Sequence, residues 1–254
     1  MAQTSTANKR TAKKPAPKKK PATKTEKLGL IARLRRFVRR VFLWGFLAVF
    51  GFMLLWTLLY TVINPPTTPY MRAEGHRLVN IKHDWVAIED IAPVMARSVV
   101  AAEDANFCLH WGLDVNAIRD AVDRGRGGAS TISQQVVKNV FLWHGRSWSR
   151  KAIEAVWTPL TEAVWSKGRI VEIYLNVVEF DEGVFGVQAA ARHYFGVDAA
   201  NLSPLQSARL SAILPAPKNR SASNPSSFTR SRTASIMSGA ATIAADGRAE
   251  CFER

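Results

Sequence analysis

"VVAAEDANFCLHWG", residues 99–112, runs an apolar stretch straight into Glu103 and Asp104 and then places Phe107, His110 and Gly112 just beyond them. The residues leading in, "EDIAPVMARSVVAAED", have the acidic start and apolar spacing of a helix beginning at about Ile91. Such a helix ends on two carboxylates either because its end is solvated or because it forms the wall of a cleft. In a cleft, the apolar run before Glu103 would leave its carboxylate partly desolvated, as suits a general base. The dipeptide alone does not choose between these readings.

Downstream, "GGASTISQQVVKNVFLW" (127–143) supplies a helix that Ser130 or Thr131 can cap. Its first backbone N–H groups, approached past Gly127 and Gly128, suit an anion. Gln134 and Lys138 are i and i+4 on one face, while Val136, Val137 and Val140 cover the other sides. A further stretch, "GRSWSRKAIEAVW" (145–157), adds Arg146, Arg150, Lys151 and Glu154, which in isolation read as solvated charges at a helix start.

The rest is helical in pattern and strands are nearly absent. Pro159 interrupts the run 150–176, predicting a boundary or kink just before it. "VVEFDEGVFG" (177–186) reads as a shaped loop, and "SASNPSS" (221–227) leads into a last helix expected to pack loosely. No repeat and no second change of composition follows residue 64, so 64–254 is expected to be one mostly α domain.

The formal charge of +15 is localised. Residues 1–40 carry 14 Lys and Arg against one acidic residue, Glu26, whereas the other 214 carry 21 against 19. The segment 1–40 is expected to be a disordered basic tail. Residues 41–63, "VFLWGFLAVFGFMLLWTLLYTVI", contain no charge. As a helix they extend ~35 Å against a hydrocarbon core of ~30 Å, and they are too long for a signal-peptide core. "RLRRFVRR" abuts this span, so the positive-inside rule keeps the N-terminus cytoplasmic and sends 64–254 across the membrane. The same adjacency disfavours a nucleic-acid arm. Cys108 and Cys251 would then face an oxidising compartment, with their pairing left open.

The chain has no HExxH, CxxC, Walker GxxxxGK[ST] or SxxK, which disfavours a protein-built metal site, a nucleotide site and serine acyl transfer. Carboxylate chemistry remains. Together the stretches resemble the peptidoglycan glycosyltransferases of the lysozyme-like glycosyltransferase family 51. The pattern E-D-x-x-F-x-x-H-x-G is matched by Glu103, Asp104, Phe107, His110 and Gly112, and G-x-S-T-I-[ST]-Q-Q-x-x-K-N by Gly128 to Asn139. R-K-x-x-E is matched by Arg150, Lys151 and Glu154, and K-x-R-I-x-E-x-Y-L-N by 167–176. The resemblance runs from about Trp85 to Pro217 and is nearest to the monofunctional branch, the chain ending where a transpeptidase domain would begin.

The resemblance implies a two-lobed lysozyme-like helical domain behind one transmembrane helix. It implies polymerisation of glycan strands from lipid II with inversion at the anomeric carbon. Glu103 would be the general base and Glu154 the second catalytic carboxylate. Ser130, Gln134, Gln135, Lys138, Asn139, Arg146 and Lys151 would bind substrate, and Asp104, Phe107, His110 and Gly112 would support the site. No cofactor is required, although Mg or Mn at the pyrophosphate is compatible. Expected partners are lipid II, the growing strand and the membrane, with wall-synthesis or division proteins as further candidates and no nucleic acid. The location implied is the bacterial inner membrane, with a periplasmic catalytic domain. A lysozyme-like glycan hydrolase and a non-catalytic scaffold are the competing functions. Asp181 and Gln206 depart from the usual family residues.

Overall fold

The computed structural model describes residues 24–125, 128, 130–145 and 147–253. Most of the basic tail, as well as Gly127 and Arg146, lies outside the described residues. Two compact units divide at Gly51. The first contains most of helix α1 (Lys24–Val62), and from 32 to 51 every side chain on it is exposed, including Phe42, Trp44 and Phe46.

The second unit begins at Phe52 with the last turns of α1. It continues through α2 (Pro69–Leu78), β1 (Lys82–His83), α3 (Pro93–Glu103), α4 (Val115–Asp123), α5 (Ile132–Phe141), α6 (Trp148–Val164) and α7 (Lys167–Val177). After these come β2 (Glu179–Asp181), β3 (Val184–Phe185), α8 (Val187–Phe195), α9 (Pro204–Ile213) and α10 (Ser227–Ala245). The core is built on α7, whose Ile170, Val171, Ile173, Tyr174 and Leu175 are fully buried. Helix α5 packs on α6 and α7, while α3, α9 and α10 pack on one another. The cleft-forming ends of α3 and α5 meet between these two groups.

A small sheet, ordered β1-β3-β2, pairs β1 parallel and β2 antiparallel to β3. Gly186 follows it at φ +82°, where a Cβ would stand 2.9 Å from the Asn176 carbonyl oxygen, so glycine alone fits this turn into α8.

Several boundaries differ from expectation. Helix α3 starts at Pro93, after a 3-10 turn at Ile88–Asp90, rather than at Ile91. Pro159 lies inside α6 instead of ending it. The buried Trp157, Thr158 and Thr161 hold that helix in register across the lost N–H, and the break falls at Trp165–Ser166, where Ser166 caps α7. Helix α2 was not read from the sequence; Thr68 caps it and Pro69 stands at its first position. The departures from the family are absorbed locally: Asp181 pairs with His193 at 3.0 Å, and Gln206 closes a capping box with Ser203 on α9.

The last turns of α1 are held by side chains rather than by apolar contact alone. Trp157 Nε1 donates to Thr57 Oγ1 at 2.9 Å, and Trp165 Nε1 to the Thr57 carbonyl at 2.8 Å. Arg169 satisfies terminal carbonyls of the helix at Tyr60 and Ile63. Phe141, at the end of α5, stacks on Trp157 with ring centroids 4.4 Å apart. Thr57→Val removes the acceptor for a buried indole N–H and should cost about 1–3 kcal/mol, whereas Thr57→Ser should keep it. Thermal unfolding of the detergent-solubilised chain distinguishes the two.

Candidate active site

Glu103 is the last residue of α3, and its carboxylate is bracketed from two sides. Gln135 Nε2 donates to Oε2 at 3.0 Å, and Tyr174, buried in α7, donates its hydroxyl to Gln135 Oε1 at 3.3 Å. On the other side Arg232 of α10 brings Nη2 to 3.7 Å from Oε1.

Asp104 turns the other way. Its N–H closes on the Val100 carbonyl, its Oδ2 accepts the Ile132 N–H at 3.0 Å, and its Oδ1 lies 2.8 Å from His110 Nε2. A buried carboxylate on the first N–H of α5 satisfies an otherwise orphaned donor and the positive end of the helix dipole. Asp104 therefore locks the end of α3 to the start of α5, and the sequence feature that looked like paired carboxylates separates into one that faces the cleft and one that builds it. Phe107 is buried beneath the Lys167 ammonium, 4.2 Å from the ring centroid, and Lys167 also donates to the His110 carbonyl. Gly112 takes φ +79°, and a Cβ there would fall 2.6 Å from Thr158 Cγ2.

Thr131 is the cap of α5, and Gln134 completes the capping box by accepting the Thr131 N–H at 3.1 Å. That places Gln134 in the buried frame and leaves Gln135 in the cleft beside Glu103. Gln135, Lys138 and Asn139 line a cleft of about 430 Å³ whose facing wall is Tyr70, His144, Glu179 and Lys218. A smaller cavity of about 150 Å³ opens at Glu103, Asp104, Asp114 and Ser130. Burial pushes the Lys138 ammonium below the usual lysine range, against the pull of Glu154.

Glu154 is buried and already engaged. Arg150 Nη1 binds Oε2 at 2.9 Å, Lys151 Nζ binds Oε1, and Lys151 reaches on to Ser130 Oγ at 3.2 Å. This carboxylate orients two cations. Among the described residues no group of three or more His, Cys, Asp or Glu is arranged to hold a metal.

The facing wall was not read from the sequence. Tyr70 donates to Glu179 Oε2 at 2.6 Å, and Lys218 bridges Glu74 at 2.9 Å and Glu179 at 3.6 Å. Burial pushes the Glu179 carboxyl up and, with Glu179 beside it, the Tyr70 hydroxyl up to about 12. His144 stacks on Tyr70 with centroids 3.6 Å apart, and burial followed by the Lys138 charge pushes its imidazole down. These residues come from α2, β2 and the loops after α5 and α9, and no local pattern joins them.

Fold and site define a lysozyme-like helical domain in which the Glu103 carboxylate is held by Gln135, a residue that also lines the cleft of the half-buried Lys138, the class of enzyme that handles glycans. Within that class the chain belongs to the transglycosylase family, whose model matches residues 72–241. It is 55% identical over 235 residues to a biosynthetic peptidoglycan transglycosylase of Jannaschia sp. (strain CCS1), covering 92% of this chain and 98% of that protein. Proteins of the same name from Caulobacter vibrioides and Xanthomonas campestris pv. campestris (strain B100) are 41% and 45% identical over 223 and 231 residues. They cover 86% and 85% of this chain and 97% and 94% of their own lengths.

Proposed function

We propose that this chain polymerises peptidoglycan glycan strands from lipid II, with Glu103 as general base. The observation that carries the reading is the Glu103 carboxylate held by Gln135, the residue that also lines the cleft with Lys138. Glu103 takes the proton from the 4-hydroxyl of the acceptor GlcNAc as that oxygen attacks the anomeric carbon of the donor MurNAc. The bond from that carbon to the undecaprenyl pyrophosphate breaks, the electron pair leaves with the pyrophosphate, and the α-linked donor becomes a β-1,4 link. An inverting displacement needs a base on the acceptor side rather than a covalent carboxylate.

Negative charge builds on the leaving group, where cations aimed at it lower the barrier. Lys138 is the first such cation. Lys218 lies across the same cleft, and the Lys151 ammonium, oriented by Glu154, lies beside Ser130. A hydrolase has no pyrophosphate to stabilise and would not need this provision.

Because burial depresses the Lys138 pKa, rising pH discharges this ammonium earlier than an ordinary lysine. The alkaline limb of the rate profile should therefore fall early, and Lys138→Arg, which stays charged, should move that limb upward. The check is the initial rate of lipid II consumption across the alkaline range for both proteins.

The uncharged and exposed stretch of α1 from residue 41 to 51 suits a bilayer, with residues 1–40 cytoplasmic, 41–63 spanning and 64–254 periplasmic. In the second unit, Leu109, Trp111, Val115, Val122 and Trp148 are also exposed, which suits a domain working against a lipid surface. Polymerisation of labelled lipid II by the purified full chain tests the function. Glycan ladders support it, and a folded protein that makes none under varied detergents would favour a scaffold.

A further inference from the structure

We propose that Arg232 is a positioning residue for the base, an inference that rests on the assignment of that role to Glu103. Arg232 lies on α10, within the residues matched by the family model but beyond the motifs read from the sequence. Its place there is fixed by packing. Gly239 lets α10 approach α3 until a Cβ built on it would lie 3.1 Å from Ala101 Cβ. One side of α10 is sealed by Thr233, Ile236 and Ala240, all buried. Arg232, one turn before Ile236, is thereby set opposite the C-terminal turn of α3.

There the guanidinium does two things. Nη2 donates to the Ala102 carbonyl at 3.2 Å, one of the terminal acceptors that a helix leaves unpaired. The same nitrogen lies 3.7 Å from Glu103 Oε1, within reach of an ion pair but too far for a good hydrogen bond. Glu103 Oε1 and Arg232 Nε are both buried and both lack a hydrogen-bond partner. The Glu103 oxygen and the Arg232 nitrogen are complementary groups left open where the two side chains meet, and a buried polar group left unpaired carries a penalty. Gln135 holds Oε2 from α5 and Arg232 confines Oε1 from α10, so the carboxylate plane has restraints on both edges. Without Arg232 the side chain of Glu103 regains rotation about its terminal bonds, and the oxygen that must meet the acceptor hydroxyl is no longer held in line. Such a displacement at a reacting group costs on the order of 100-fold in rate.

The experiment uses the full chain in detergent with labelled lipid II and compares wild type, Arg232→Ala, Arg232→Lys, Glu103→Gln and the double variant Glu103→Gln/Arg232→Ala. Arg232→Ala should lower kcat about 10- to 100-fold with KM little changed and should retain the circular dichroism of the wild type. Arg232→Lys should recover part of the loss, and guanidine hydrochloride at low millimolar concentration should restore rate to Arg232→Ala but not to Glu103→Gln. The double variant should be no slower than Glu103→Gln alone, because Arg232 acts through that carboxylate. Full activity of Arg232→Ala beside an inactive Glu103→Gln overturns this inference and leaves the base assignment standing. An active Glu103→Gln overturns the base assignment first. A double variant much slower than Glu103→Gln shows that Arg232 acts independently and also overturns the proposal.

Discussion

Glu103→Gln should abolish glycan polymerisation, lowering the rate by about 10²–10⁴-fold, the range contributed by a positioned general base, while leaving the fold intact. The substitution is close to isosteric, and Gln135, itself held by the Tyr174 hydroxyl, can still hydrogen-bond an amide in the same place. Only the ability to take the acceptor's proton is removed. Lipid II turnover, measured with circular dichroism and thermal unfolding on the same samples, separates this outcome from loss of structure. A folded variant with wild-type turnover would remove Glu103 from the reaction.

Asp104→Asn is the informative contrast. Its carboxylate accepts from Ile132 and meets His110, so the substitution weakens the joint between α3 and α5 as well as the cleft. It should lower the unfolding temperature as well as the rate, where Glu103→Gln lowers the rate alone. Adjacent residues with the same charge thus report on different links: one on chemistry, the other on the packing that places the chemistry.

The Glu103 side of the candidate site was legible because it is built from contiguous motifs. Glu103 at a helix end and Gln134 with Lys138 on one face of α5 are local facts of spacing, and the motif that carries Gln135 is contiguous. The distinction between Gln134 and Gln135 was also present in the text of the chain, since Thr131 followed three residues later by a glutamine is a capping box. Helical periodicity put Gln134 on the face of Lys138, but the cap consumed its side chain. Pro159 misled for a related reason: propensity argues for a break, and the buried face of α6 outweighs it. What could not be read is everything assembled across distant positions. Arg232 meets Glu103, 129 positions earlier in the chain, only because α10 lies against α3. The wall of Tyr70, Glu179 and Lys218 is brought together by the sheet and the turn after α9. The last helix, expected to pack loosely, instead has a buried side that holds the catalytic helix.

Loss of the Cys108–Cys251 disulfide, which closes a span of 143 residues, should be the largest stability effect of any single substitution outside the core. Removing a native disulfide costs about 2–5 kcal/mol, with long loops toward the upper end. At about 2–4 °C per kcal/mol for a domain of this size, Cys251→Ser should lower Tm by about 10 °C. The bond does more than close a loop, because it ties the C-terminal turn to the segment directly after Glu103 and Asp104. Arg248 Nη1 donates to the Ala105 carbonyl at 3.0 Å, and Phe252, buried, lies with its ring centroid 6.3 Å from that of Phe107. Polymerisation by Cys251→Ser should therefore fail at a lower temperature than wild type while staying near normal when cold. Mild reduction of the wild-type protein should reproduce both effects, and Cys108→Ser/Cys251→Ser should be no worse than either single change. Such a bond persists in an oxidising compartment. An unchanged Tm after reduction would show that the packing of α10 and the C-terminal turn holds this segment without the covalent link.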